Sequence, residues 1–229
     1  MHEWVTLTFG SSTMRAFVAR PSQPQPPGVL VCMHAPGVDT FIQNICERLA
    51  TAGFAAIAPD VYHRQTSEDP NPLARMGKLK DVELLEDHTA ASRYLATVSD
   101  PARQSVIGFC MGGRQSYLWA TEVPTLKAGV VFYGGSIMKS WGRGASPFER
   151  TGGIRCPVLG LFGKDDTNPS PQDVAKIGDE MDRLSKAHEF VSYDGAGHAF
   201  LNDTRPTYRP DAAQDAWRRC IDWLSRYSK

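Results

Sequence analysis

The chain has 229 residues, 41 % hydrophobic and 22 % charged, with 25 Lys+Arg against 25 Asp+Glu and a formal net charge of +0. That length suits one sizeable domain spanning residues 1–229, and the composition excludes disordered, collagen-like and coiled-coil chains. Balanced charge gives no footing for nucleic acid or an anionic membrane, so the expected partner is a small molecule, bound by a monomer or small homo-oligomer.

Trp4 to Phe9 and Met14 to Ala19 flank the turn-rich Gly10-Ser11-Ser12-Thr13 and predict an antiparallel hairpin at a sheet edge. Pro21 to Pro27 reads as a loop. From Val29-Leu30-Val31-Cys32-Met33 onward, runs that are apolar on both faces alternate with amphipathic stretches. Ile42, Ile45, Cys46 and Leu49 share one helical face, Phe54 to Ala58 is strand-like, and Leu84, His88, Ala91, Leu95 and Val98 mark a longer helix. Strands follow at Ser105 to Phe109, Ala128 to Tyr133 and Pro157 to Phe162, with a short helix after Gly113. Ser170-Pro171-Gln172-Asp173 opens the next helix with a capping residue, a proline at the first position and an acid facing the dipole. His188 to Tyr193 is the last strand, and Ala213, Trp217, Cys220, Leu224 and Tyr227 form the stripe of a closing helix. The fold class is α/β: a mostly parallel twisted sheet with helices on both faces, in which ligands bind beyond the carboxyl ends of the strands. No apolar run approaches the roughly 18 residues of a membrane span, and Met1-His2-Glu3-Trp4 begins no basic-then-apolar leader, so the expected location is the cytoplasm.

Cys32, Cys46, Cys110, Cys156 and Cys220 show no C-x-x-C spacing, and His2, His63, His88 and His188 show no ligand spacing. Neither a disulfide frame nor a metal site is expected. Four of the cysteines lie in apolar surroundings, where the residue behaves as a small hydrophobe. Cys110 does not. It sits in Gly108-Phe109-Cys110-Met111-Gly112-Gly113, directly after a strand, with the spacing of a nucleophile elbow that carries cysteine instead of serine. Glycines two before and two after let the chain turn sharply, and the start of the following helix supplies a dipole and free N–H groups that favour an anion. A Gly-rich packing turn is the competing reading of those residues alone.

An elbow enzyme needs an acid and a histidine after later strands, in that order. Gly163-Lys164-Asp165-Asp166 and Gly195-Ala196-Gly197-His198-Ala199-Phe200 supply them. Only one of two adjacent carboxylates can face the imidazole: Asp166, three after Gly163, is the choice, and Asp165 is the alternative.

On Gly108 to Gly113, on Ala58-Pro59-Asp60-Val61-Tyr62 and on Gly197-His198-Ala199-Phe200, the chain resembles the dienelactone hydrolase family from Val29 to Leu224. The resemblance implies an α/β-hydrolase fold and a Cys-Asp-His triad: Cys110 as nucleophile, His198 as general base and acid, Asp166 as its orienter. It also implies cleavage of an ester or lactone through a thioester, with no metal or organic cofactor. By position, the oxyanion hole combines the backbone N–H of Met111 with one from the loop after the Val29 to Met33 strand, for which Ala35 is the candidate. Two departures concern the substrate. The family's glutamate near the thiol is absent from Met33-His34-Ala35-Pro36-Gly37-Val38, and His34 stands at or beside its position; Asn202 stands where dienelactone-cleaving members carry an arginine. His34, Asn202 and Trp141 are therefore candidate pocket residues. Ser136 to Arg155 is either a lid or an ordered surface excursion. A broad carboxylesterase with the same triad, or a non-catalytic binding or redox-sensing relative, remains the alternative.

Overall fold

Apolar runs that alternate with one-sided helices leave the chain one economical packing, a sheet covered on both faces. The computed structural model describes residues 1–65 and 69–228. Among these, β1 (His2–Phe9) and β2 (Ser12–Ala19) form the expected hairpin, closed at Gly10 with φ +55°. Then follow β3 (Pro27–Cys32), α1 (Thr40–Thr51), β4 (Ala55–Pro59), α2 (Pro72–Met76), α3 (Asp81–Val98), β5 (Asp100–Phe109) and α4 (Met111–Glu122). The chain continues with β6 (Gly129–Phe132), β7 (Val158–Gly163), α5 (Pro171–Arg183), β8 (His188–Tyr193) and α6 (Pro210–Ser228). The strands join in the order β1-β2-β4-β3-β5-β6-β7-β8. Only β1 and β2 run antiparallel to their neighbours.

Two apolar layers flank the sheet. Phe41, Ile42, Ile45 and Leu49 of α1 join Cys220 and Leu224 of α6 in one. Ala91 and Leu95 of α3, Tyr117 and Trp119 of α4, and Val174, Ile177 and Met181 of α5 join in the other. The opening of α5 is a capping box: Ser170 Oγ accepts from the Asp173 N–H at 3.1 Å, and Asp173 Oδ2 accepts from the Ser170 N–H at 3.1 Å.

Strand β5 starts at Asp100, five residues before the expected Ser105, and two helices also differ from expectation. Helix α4 begins at Met111, immediately after the elbow, and runs 12 residues rather than starting short after Gly113. The glycines belong to its first turn, where they let the helix press against neighbouring backbone. The unanticipated α2 forms because Asn71 Oδ1 accepts from the N–H groups of Leu73 and Ala74 and Pro72 presets the first turn. The carboxyl ends of β3, β5, β6, β7 and β8 then open on the same side of the sheet, which is where the chemistry-bearing loops meet.

Candidate active site

Cys110 connects β5 to α4 with φ 58° and ψ −119°, a conformation that costs a non-glycine residue about 1–3 kcal/mol and persists only when its surroundings impose it. The surroundings are backbone. A Cβ on Gly108 would lie 1.9 Å from the Gly112 carbonyl oxygen, and one on Gly112 would lie 2.1 Å from that of Cys32. The Cys110 N–H donates to Phe132 O at 3.1 Å, while Cys110 O accepts from Gly113 and Arg114. The thiol is thus presented, half-buried, at the amino end of α4. The other four cysteines are buried, and burial pushes the thiols of Cys32, Cys46 and Cys220 far up and that of Cys156 up to about 11.

Close approach of a second pair of loops brings the acid and the base together. A Cβ on Gly163, at the end of β7, would lie 2.2 Å from Ala196 O, so the loop after β7 packs directly on the loop after β8. Asp165 is exposed and its N–H donates to Ala196 O. Asp166 is 5 % exposed, and its Oδ2 lies 2.8 Å from His198 Nδ1 while its Oδ1 accepts from the Asn168 N–H at 2.9 Å. The carboxylate is therefore held from both oxygens. Burial pulls the His198 imidazole down, but hydrogen bonding to Asp166 and Cys110, together with their negative charge, outweighs it and pushes His198 up to about 10. Tyr133 packs its ring against that of His198 at 5.3 Å.

A cavity of about 240 Å³ lies over these groups, lined by Leu73 and Met76 from α2, by Cys110, Met111 and Trp141, and by Asp166 and His198. No lysine or arginine lines it among the described residues. His34 and Asn202 lie outside that lining. His34 Nε2 is 2.8 Å from Asp39 Oδ1, the carboxylate that also caps α1 through the Ile42 N–H. Asn202 is 1 % exposed, and its Oδ1 accepts from the N–H and hydroxyl of Thr204. Asp39 approaches His34 without an aligned hydrogen bond, and Thr204 engages Asn202 through its oxygen alone, leaving Nδ2 buried without a partner among the described residues.

Trp141 lines the cavity because a buried ion pair holds it there. Arg114, fully buried in α4, meets Asp81 of α3 in two bonds of 2.6 and 2.9 Å. Its guanidinium lies 4.0 Å over the Trp141 ring and also donates to Ser136 O and Lys139 O. Asp81 Oδ2 accepts from the Trp141 N–H at 3.0 Å, and Trp141 O accepts from the Asp81 N–H at 2.8 Å. The first part of segment 136–155 is thereby tied to α3 and α4, and its later part forms a 3₁₀ turn at Phe148–Gly153 whose Thr151 meets Tyr117 at 2.7 Å. The contacts match an ordered excursion. These partners are 22 to 60 residues apart, and no motif or period in the sequence marks them.

Residues 14–228 match the model of the dienelactone hydrolase family. The chain is 33 % identical, over 97 % of its length and 80 % of that protein's, to a "Putative carboxymethylenebutenolidase" of Methylorubrum extorquens. It is 31 % identical to a "Probable 2-oxo-3-(5-oxofuran-2-ylidene)propanoate lactonase" of Bradyrhizobium sp, over 97 % of this chain and 93 % of that one. A crystal structure described as a "Putative Dienelactone Hydrolase" from Klebsiella pneumoniae superposes with a TM-score of 0.92 at 31 % identity, covering 99 % of both chains.

Proposed function

This chain belongs to the dienelactone hydrolase family and is a hydrolase of that type, and from that membership we propose that it cleaves a small ester or lactone through a thioester on Cys110. One observation carries the reading: a cysteine held at a strained strand-to-helix turn lines the same cavity as an imidazole whose Nδ1 is 2.8 Å from a buried carboxylate. His198, whose proton affinity is raised, takes the thiol proton of Cys110 as the sulfur is engaged and becomes the imidazolium.

The sulfur attacks the carbonyl carbon, and the carbonyl oxygen takes the electron pair and rests against the N–H groups of Met111 and Ala35. Collapse breaks the carbon–oxygen bond, and the leaving alkoxide or enolate takes the proton of the imidazolium. Water then gives its proton to His198 as it attacks the thioester, the acid departs, and sulfur leaves as thiolate beside a renewed imidazolium. Thiolate is a better leaving group than an amine, so an amide adduct reverts, whereas esters and lactones with stabilised leaving groups proceed. Neither step calls on a metal or organic cofactor.

The cavity lining favours a second reading within the same chemistry, a carboxylesterase for small esters without a free carboxylate. His34 and Asn202 lie outside the lining, and among the described residues no cationic side chain other than His198 lines the space. Turnover of p-nitrophenyl acetate, p-nitrophenyl butyrate and a dienelactone by wild type, Cys110→Ala and Cys110→Ser tests both readings. Loss of turnover in Cys110→Ala supports the triad, and the ratio of lactone to simple ester chooses the substrate class. Equal activity or equal inertness of wild type and Cys110→Ala counts against the assignment.

A further inference from the structure

The segment that carries Ala35 leaves the sheet where β3 ends at Cys32, and it has little of its own to hold it. Pro36 follows and offers no N–H. Two bonds compensate. The His34 carbonyl accepts from the Gly37 N–H at 3.0 Å, which Gly37 permits by taking φ +107°. In a planar trans peptide the N–H points opposite to the carbonyl, so that bond aims the Ala35 N–H away from the turn. The next carbonyl, that of Ala35, accepts from the Tyr62 hydroxyl at 2.8 Å. Among the described residues no protein acceptor takes the N–H of Ala35 or of Met111.

Tyr62 is built to keep that bond. It is 2 % exposed, its own N–H donates to Asp60 Oδ1 at 3.1 Å, and the Arg75 guanidinium covers its ring at 3.9 Å. Burial lifts its phenol well above the ordinary value, so the hydroxyl stays a donor through the neutral and alkaline range. Its oxygen also lies 3.6 Å from Met111 Sδ, a weak acceptor. One phenol therefore touches both residues assigned to the oxyanion hole, and the bare Gly112, against the Cys32 carbonyl, brings α4 to the end of β3 at the same point.

We propose that Tyr62 is a positioning residue for acyl transfer: by holding the Ala35 carbonyl and packing on Met111 it keeps the Ala35 N–H aimed, beside that of Met111, at the oxygen of the tetrahedral adduct. The proposal rests on the cysteine-hydrolase reading above. It makes no contact between Tyr62 and substrate, and it predicts a loss specific to steps that put charge on a carbonyl oxygen.

Two reactions of the same sulfur separate that role from a general structural one. Acylation by p-nitrophenyl acetate develops the oxyanion. Methyl methanethiosulfonate does not: the sulfur attacks the thio sulfur, a disulfide to a methylthio group forms, and methanesulfinate leaves. Tyr62→Phe is expected to slow acylation about 10- to 50-fold with KM little changed, and to alter thiosulfonate labelling by less than about twofold. Equal losses in both reactions, or no loss in acylation, overturn the proposal. Should Tyr62→Phe not fold, Ala35→Gly, which frees the same backbone, is expected to show the same split, and its absence overturns the proposal equally. Cys110→Ala run alongside tells the two levels apart: if it retains ester turnover, the nucleophile assignment has failed, whatever Tyr62 does.

Discussion

His198 Nδ1 lies 2.8 Å from Asp166 Oδ2, although the two residues are 32 positions apart and stand on the loops after two different strands. The imidazole is pulled down by burial and pushed up, to about 10, by the hydrogen bonds and negative charge of Asp166 and Cys110. Because the folded-state value is raised above the ordinary 6.5, the stabilisation from this charged pair is complete below about 6.5 and is lost as pH rises through about 10. NMR titration of the His198 Cε1–H is expected to find a midpoint far above 6.5 in wild type, brought down in Asp166→Asn. The same substitution is expected to lower kcat by about 10²- to 10⁴-fold. An unmoved midpoint contradicts the account of the pair.

Thiol chemistry should single out one cysteine. Iodoacetamide under native conditions is expected to label Cys110 alone, because Cys32, Cys46, Cys156 and Cys220 are buried and burial raises their thiols. Peptide mass mapping before and after unfolding checks this. Rapid native labelling of any of the other four contradicts it.

The elbow makes a steric prediction with a built-in control. Gly108→Ala places a Cβ 1.9 Å from a backbone oxygen, so the turn must open, and a loss of several kcal/mol or failure to fold is expected. Gly197→Ala, one residue before His198, meets nothing closer than Asp165 O at 3.8 Å, and a change within about 0.5 kcal/mol is expected. Urea unfolding of both variants compares them directly. Similar stabilities would contradict the packing described.

The wall made by Trp141 should set the size of the acyl group. Trp141→Ala is expected to raise kcat/KM for p-nitrophenyl esters of longer chains relative to the acetate, since the ring lines a cavity of about 240 Å³. Arg114→Met leaves the Asp81 carboxylate buried without its partner and is expected to cost about 3–5 kcal/mol in urea unfolding. An unchanged chain-length profile in Trp141→Ala removes the wall from the account.

Much of this architecture is legible in the chain itself, for reasons that are local. Val29 to Met33 reads as a buried strand because both of its faces are apolar, and the structure gives Pro27–Cys32. Ser170-Pro171 announces a helix start because capping chemistry lies within four residues. Gly108 and Gly112 read as an elbow because their spacing is the spacing of the collision they avoid. What the sequence conceals is long-range pairing between side chains. It conceals short-range contacts too: His34 stands at a pocket position by sequence, yet Asp39, five residues on, lies 2.8 Å from its Nε2, and the Asn202 oxygen turns to Thr204. The hold of Arg114 and Asp81 on Trp141, and the reach of Tyr62 to Ala35, join residues 27 to 60 apart and leave no period or motif. The start of α4 at Met111 is hidden for a related reason, since glycine normally weakens a helix and here its missing Cβ lets the first turn dock.

In the proposed mechanism the sulfur of Cys110 carries the acyl group. The most direct test mixes enzyme with p-nitrophenyl butyrate, quenches in acid within the first turnover, and maps the adduct by peptide mass spectrometry. The expected result is a butyryl group on the peptide containing Cys110, formed with a burst of p-nitrophenol and absent, together with turnover, from Cys110→Ala. Undiminished turnover in Cys110→Ala, or a butyryl group on a different residue at that first turnover, would contradict it.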